Sequence, residues 1–145
     1  MGDISKDIKT TFPNHKVKAI LNIIYTANWI SSLQNEFFKP YGISPQQFNI
    51  LRILRGAGKA IKVQTIKDRM LERAPNATRL MDKLCTKKLI DRIACPEDRR
   101  VVHIEITNKG LQLLKEIDAS FKDDLLHNLS EKEAIQLSDL LDKIR

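Results

Sequence analysis

The stretch CPEDRRVVHIEIT, Cys95 to Thr107, decides how this chain is read. Its second half alternates. Val102, Ile104 and Ile106 are placed to face a core, while Val101, His103 and Glu105 face out, the period of two that marks a half-buried strand. Its first half, Pro96-Glu97-Asp98-Arg99-Arg100, is too polar to pack and reads as a hairpin tip ending in two adjacent guanidiniums. Upstream of the hairpin lies a short basic helix. Downstream, Thr107-Asn108-Lys109-Gly110 opens a long helix with apolar periodicity.

Helix, arginine-tipped hairpin and helix together make the layout of a winged helix-turn-helix. The remaining segments fit around it. A first long helix is expected from Lys16 to Phe38, with Val17, Ile20, Leu21, Ile24, Ala27, Ile30 and Leu33 forming a wide buried face. Ser44-Pro45-Gln46-Gln47 starts the next helix, with Ser44 as N-cap, Pro45 at the first helical position and Gln47 completing a capping box. Phe48, Leu51 and Leu54 point to the core, and Gly56-Ala57-Gly58 ends the helix. Ile61–Leu71 reads as a short helix with Ile66 and Met70 inward. Pro75 opens the reading helix, which runs to Lys87 with Ala77, Leu80, Met81 and Leu84 at helical spacing. The hairpin strands fall at 89–95 and 101–106. A helix then runs from Asn108 to Leu126, and Ser130-Glu131-Lys132-Glu133, a second capping box, opens the last helix to Ile144. The expected fold is mainly α with a small β-wing. Residues 1–145 are expected to form a single domain, with 44–107 a winged-helix DNA-binding region and 1–38 and 108–145 long flanking helices expected to dimerise, since Ile4, Ile8 and Phe12, and Leu137, Leu140, Leu141 and Ile144, make apolar stripes that a small monomer would struggle to cover. The sum is six helices and a two-stranded wing.

Composition agrees. A chain of 145 residues with 42% hydrophobic and 30% charged residues is large enough for a core and too apolar for wholesale disorder. The N-terminus MGDISKDIKT lacks the apolar segment of a signal peptide, and no apolar run approaches the ~18 residues of a membrane span. A cytoplasmic location with no membrane association is expected. The net charge of +7 is unevenly placed: Arg52–His103 carries 14 Lys and Arg against 6 Asp and Glu, a net +8, so the flanks together are near neutral. Positive charge gathered on the reading element favours a nucleic-acid partner over a generally basic surface.

The polar side of the reading helix presents Asn76, Thr78, Arg79, Asp82 and Lys83. An α-helix fits the major groove of duplex DNA, with its first turns at the base edges. There Asn76 can pair with adenine, Arg79 can fork onto guanine, and Thr78 offers a hydroxyl and a methyl. Lys83 and Lys87 lie further along, where phosphates are nearer, and the free amides of the helix start attract a phosphate. In the wing, Arg100 is expected to enter the minor groove, with Arg99 and Arg92 on phosphates. Asp98, a carboxylate at a DNA-facing tip, is expected to hold the hairpin in shape by pairing with a nearby arginine.

The run from Ser44 to Gly110 resembles the MarR family of bacterial transcriptional regulators. SPQQFNILRILRG is similar to the family's second helix, PNATRLMDKLCTKKLIDR to its recognition helix and first wing strand, and PEDRRVVHIEITNKG to its wing, with the Asp-x-Arg pattern carried by Asp98 and Arg100. The resemblance implies a homodimer joined through its terminal helices, each subunit binding half of a pseudopalindromic operator, and a repressor in most members. Many members are released by small phenolic or other anionic ligands. Tyr25 and Trp29, with Phe37 and Phe38 on the same first helix, are the candidate lining of an effector pocket near the dimer junction, unless they are simply core. Two departures stand out. The family often has Gly before the first wing strand where this chain has Lys88, so either Lys88 takes the left-handed backbone or the helix cap differs. The family's oxidant-sensing branch uses a first-helix cysteine, which is absent here.

Other chemistry finds no support. Cys85 adjoins the apolar stripe and reads as a packing residue, and Cys95 precedes the wing tip. His15, His103 and His127 have no ligand-like spacing, and there is no phosphate-binding Gly-rich loop, so no metal, cofactor or enzymatic activity is expected. The competing reading is a winged-helix protein-interaction module without DNA binding. The clustered charge and arginine tip argue against it.

Overall fold

The computed structural model describes residues 2–73, 75–121 and 125–145. A short helix α1 (Ile4–Asp7) leads into α2 (His15–Phe38), which Asn14 caps by accepting the Val17 amide at 2.9 Å. A single 3-10 turn, Lys39–Tyr41, reverses the chain at Gly42, whose φ of 68° is the left-handed backbone that glycine takes without strain. Helix α3 (Pro45–Ala57) follows. Its capping box is complete: the Ser44 hydroxyl accepts the Gln47 amide at 3.1 Å and the Gln47 side chain accepts the Ser44 amide at 3.0 Å. Strand β1 (Ile61–Lys62), α4 (Val63–Arg69), α5 (Ala77–Thr86), β2 (Ile90–Ala94), β3 (Val102–Ile106), α6 (Asn108–Ser120) and α7 (Glu131–Ile144) complete the order.

The core gathers Phe38, Ile50, Leu51, Leu54, Ile66, Ala77, Met81, Leu84, Ile90, Ile104, Leu114 and Ile117. It lies where α3, α5 and α6 meet one face of an antiparallel sheet of order β1-β3-β2. All four stripe residues of α5 are buried, as their spacing requires.

Several expectations are corrected. The sheet has three strands: Ile61 and Lys62, expected to begin a helix, instead pair with Ile104 and His103, and the helix starts at Val63. The described residues hold seven α-helices, α1 being the one not anticipated. The reading helix begins at Ala77, with Pro75 outside it and Asn76 at the cap position, where its side chain makes no cap hydrogen bond. Helix α6 ends at Ser120, and 122–124 of the expected continuation lie outside the described residues. Val102 faces the same way as the buried Ile104 but is exposed, because the hairpin runs past the edge of the core. The broad apolar face of α2 is not buried within the chain: Ile20, Leu21, Ile24, Tyr25, Trp29 and Leu33 are all exposed, and Phe38 alone in that helix is fully covered.

The end of α5 is closed by a Schellman motif. The Lys88 amide donates to the Cys85 carbonyl at 2.9 Å and the Leu89 amide to the Leu84 carbonyl at 3.0 Å, with Leu84 and Leu89 both buried. Lys88 takes the left-handed position at φ 59°. Just beyond it, the Thr107 amide donates to the Leu89 carbonyl at 3.1 Å and the Thr107 hydroxyl to the Lys88 carbonyl at 2.7 Å. Gly110 packs onto the Leu89 carbonyl so closely that a Cβ there would lie 2.4 Å from it. Two stability predictions follow from this corner. Lys88→Gly relieves a left-handed side chain and is expected to raise unfolding free energy by roughly 0.5–1 kcal/mol. Gly110→Ala forces a methyl against backbone and is expected to cost about 1–3 kcal/mol. Urea midpoints of the two variants against wild type measure both, and opposite signs are required.

Candidate nucleic-acid interface

The outer side of α5 begins at an uncapped end. With Asn76 making no side-chain hydrogen bond to the helix, the first amides of α5 have no protein cap. Asn76, Thr78, Arg79 and Lys83 are exposed, and their side chains hydrogen-bond to nothing among the described residues. They follow from the sequence in a simple way. Once Ala77, Leu80, Met81 and Leu84 are turned to the core, the positions between them must face water.

The hairpin tip is held by short-range bonds. The Cys95 amide donates to the Val101 carbonyl and the Val101 amide to the Asp98 carbonyl, both at 3.0 Å. The Asp98 carboxylate accepts the Arg100 amide at 3.0 Å. Asp98 thus shapes the tip, but through backbone and not through a guanidinium as expected. The consequence is that the Arg99 and Arg100 side chains are exposed and have no partner among the described residues.

Two of the expected phosphate contacts have partners inside the chain. The Lys87 ammonium donates to the Gly42 carbonyl, joining the end of α5 to the turn before α3. The Arg92 guanidinium pairs with the Asp82 carboxylate on the outer face of α5, and that hydrogen bond raises its pKa above the usual arginine value. Partner choice of this kind depends on where a strand lies over a helix, which composition does not show. Nearby cations not singled out from sequence include Lys62 on β1 and Lys67 and Arg69 on α4, all exposed. Their only sequence signal was the local charge count.

Cys85 is half-buried, and burial pushes its thiol pKa up, which suits a packing residue. His103 is half-buried on β3, between Lys62 and Ile93, with its Nε2 unpartnered among the described residues. Tyr25 and Trp29 are exposed on α2. They do not line the cavity of about 190 Å³ formed by Leu33, Gln34, Phe37, Phe38, Ser120, Phe121 and Leu125 near the C-terminal ends of α2 and α6. Phe37 there meets Phe38 and Phe121 edge to face, at 5.0 and 4.9 Å between ring centroids. No described helix is long and apolar enough to cross a membrane.

Comparison with known proteins gives a consistent picture. The MarR family profile matches residues 43–102. The HTH-type transcriptional regulator MhqR of Bacillus subtilis is 33% identical over 118 residues, spanning 79% of this chain and 81% of the relative. A crystal structure of a MarR transcription factor from Planctomyces limnophilus is 31% identical with a TM-score of 0.69, covering 92% of this chain and 98% of that one. A mutant MarR from Escherichia coli, crystallised with operator DNA, is 25% identical with a TM-score of 0.77, covering 92% and 99%.

Proposed function

The chain belongs to the MarR family, and from that premise we propose that it represses transcription as a homodimer, each subunit reading one half of a pseudopalindromic operator. It is a DNA-binding transcriptional regulator; the relative seen on operator DNA favours that role over a protein-interaction module. One observation carries the finer reading. Asn76, Thr78, Arg79 and Lys83 on α5, with Arg99 and Arg100 at the tip, form a set of exposed donors whose side chains have no partner among the described residues. In this reading α5 lies in the major groove, Asn76 and Arg79 reach base edges, Lys83 meets a phosphate, and Arg100 enters the minor groove.

The dimer follows from what one chain leaves uncovered. Ile20, Leu21, Ile24 and Trp29 on α2, and Leu137, Leu140 and Ile144 on α7, give two long helices apolar faces open to water. Isologous pairing of the two ends covers them. A small-molecule effector belongs to the same reading. Tyr25 and Trp29 would form a pocket once a second subunit closes over them, whereas the cavity at Phe37 and Phe121 is lined by residues of one chain.

Sedimentation at micromolar concentration is expected to give a dimer, and replacing Leu137 and Leu140 by Glu to shift it towards monomer. A folded wild-type monomer at that concentration defeats the two-half-site arrangement. Mobility shifts at matched salt separate the DNA contacts. Arg79→Ala is expected to lose ~1–3 kcal/mol on the preferred sequence and so narrow its advantage over random DNA. Lys83→Ala is expected to weaken both alike and reduce the salt slope by about one unit. Arg100→Ala is expected to weaken binding more than Arg99→Ala, with melting temperature nearly unchanged, since the tip carries none of the core. Equal binding by wild type and Arg100→Ala excludes the wing from the groove.

A further inference from the structure

Arg92 stands directly opposite Ile104 in the sheet, and Ile90 opposite Ile106. Directly paired residues share a face, so Arg92 lies on the inner face of β2, where the hairpin leaves the core. Ile90 on that face is fully buried, and Arg92, one inner position further out, is exposed. There its guanidinium turns onto Asp82 of α5. Asp82 is one helical turn beyond Thr78 and Arg79, on the side of α5 that faces away from the core. Both side chains are about half exposed, at 45% and 53%, so the pair contributes little to folding stability.

A carboxylate among the cations of a helix that approaches a polyanion opposes binding. Its bond to Arg92 gives something in return, which is geometry. Beyond Ala94 the hydrogen bonds of the hairpin tip are all local, so the tip moves with its two strands. The Asp82–Arg92 pair ties the root of those strands to the reading helix. We infer that Asp82 and Arg92 are positioning residues that fix the angle between α5 and the hairpin, so that both engage one duplex together, and that Arg92 is not a phosphate contact. The gain is one of preorganisation: two reading elements already set at the right angle lose less freedom on binding. This inference rests on the DNA-reading role of α5 and the wing, and it assigns the two residues a part in that role.

The test uses the full chain, a duplex selected by the wild-type protein from a random-sequence pool, and a scrambled duplex of the same composition. Asp82→Ala removes a negative charge yet is expected to weaken binding to the selected duplex by about tenfold, within the range for residues in contact. Arg92→Ala is expected to weaken it by a similar factor. The chain carrying both substitutions is expected to bind no worse than either single variant, the two single variants to share one salt slope, and all melting temperatures to stay close to wild type. Tighter or unchanged binding by Asp82→Ala overturns the inference. So do losses that multiply in the double variant, or a salt slope about one unit lower in Arg92→Ala than in Asp82→Ala, the mark of a lost phosphate contact. Should Asp82→Ala fail to fold by circular dichroism, the isosteric Asp82→Asn takes its place under the same criteria. A wild-type chain that selects no duplex refutes the DNA-reading role itself, and this inference with it. Failure of the inference alone leaves wild-type selection intact.

Discussion

The geometry of the reading head depends on one backbone carbonyl, that of Leu89. Leu89 closes the Schellman motif at the end of α5 through its amide and begins the path into β2. Its carbonyl accepts the Thr107 amide, where β3 hands over to α6, and it forms the wall against which Gly110 sits. Three elements meet there: α5, the hairpin beside it, and α6, which leads away. The Thr107 hydroxyl reinforces the corner by accepting the Gly110 amide while donating to the Lys88 carbonyl. A rotation of α5 therefore cannot occur without moving both the wing and the start of α6. That is what a reading element needs if its position is to be set by the rest of the chain.

The other constraint is what the chain cannot bury alone. The core at the junction of α3, α5, α6 and the sheet is well covered, whereas the middle of α2 and most of α7 are apolar on a face with no cover inside the chain. A helix of 24 residues with its hydrophobic positions in water is held by its ends, here by the Asn14 cap and by the packing of Phe38 into the core. The exposed stretch between those ends comes from the same sequence pattern that makes the helix, and it is the face on which the proposed dimer would form. The centre of the chain folds on itself, while α2 and α7 leave apolar faces exposed among the described residues.

Local chemistry was legible in the sequence, and partnering across elements was not. Both capping boxes, Ser44 with Gln47 and Ser130 with Glu133, are present because each is settled within four residues. The α5 stripe was legible for the same reason. Strand β1 escaped notice because two residues, Ile61 and Lys62, carry no periodicity, and they become a strand only when β3 arrives beside them. That third strand also explains His103, which alternation placed outside but which is half-buried between two neighbours. The wide stripe of α2 was read correctly as apolar and wrongly as buried within the chain, since periodicity gives a face but not what covers it. The question left open at Lys88 has a structural answer: the hydrogen bonds of the cap and the burial of Leu89 outweigh the strain of a left-handed lysine.

The same distinction governs the site. Counting charge between Arg52 and His103 pointed to a candidate interface, but a count treats every cation as available. In the folded chain the Arg55 guanidinium lies 2.6 Å from Asp118 on α6, Lys87 is turned to Gly42 and Arg92 to Asp82. These three hold elements together, whereas the side chains of Arg79, Lys83, Arg99 and Arg100 have no partner among the described residues. A cation with an internal partner must break that bond before it meets a phosphate, and one without a partner exchanges only water and counterions. The field that draws the protein to a polyanion is the sum of all of them. In the proposed reading the contacts come preferentially from the uncommitted ones, which among the described residues stand on α5 and at the hairpin tip and also, as Lys62, Lys67 and Arg69, on β1 and α4.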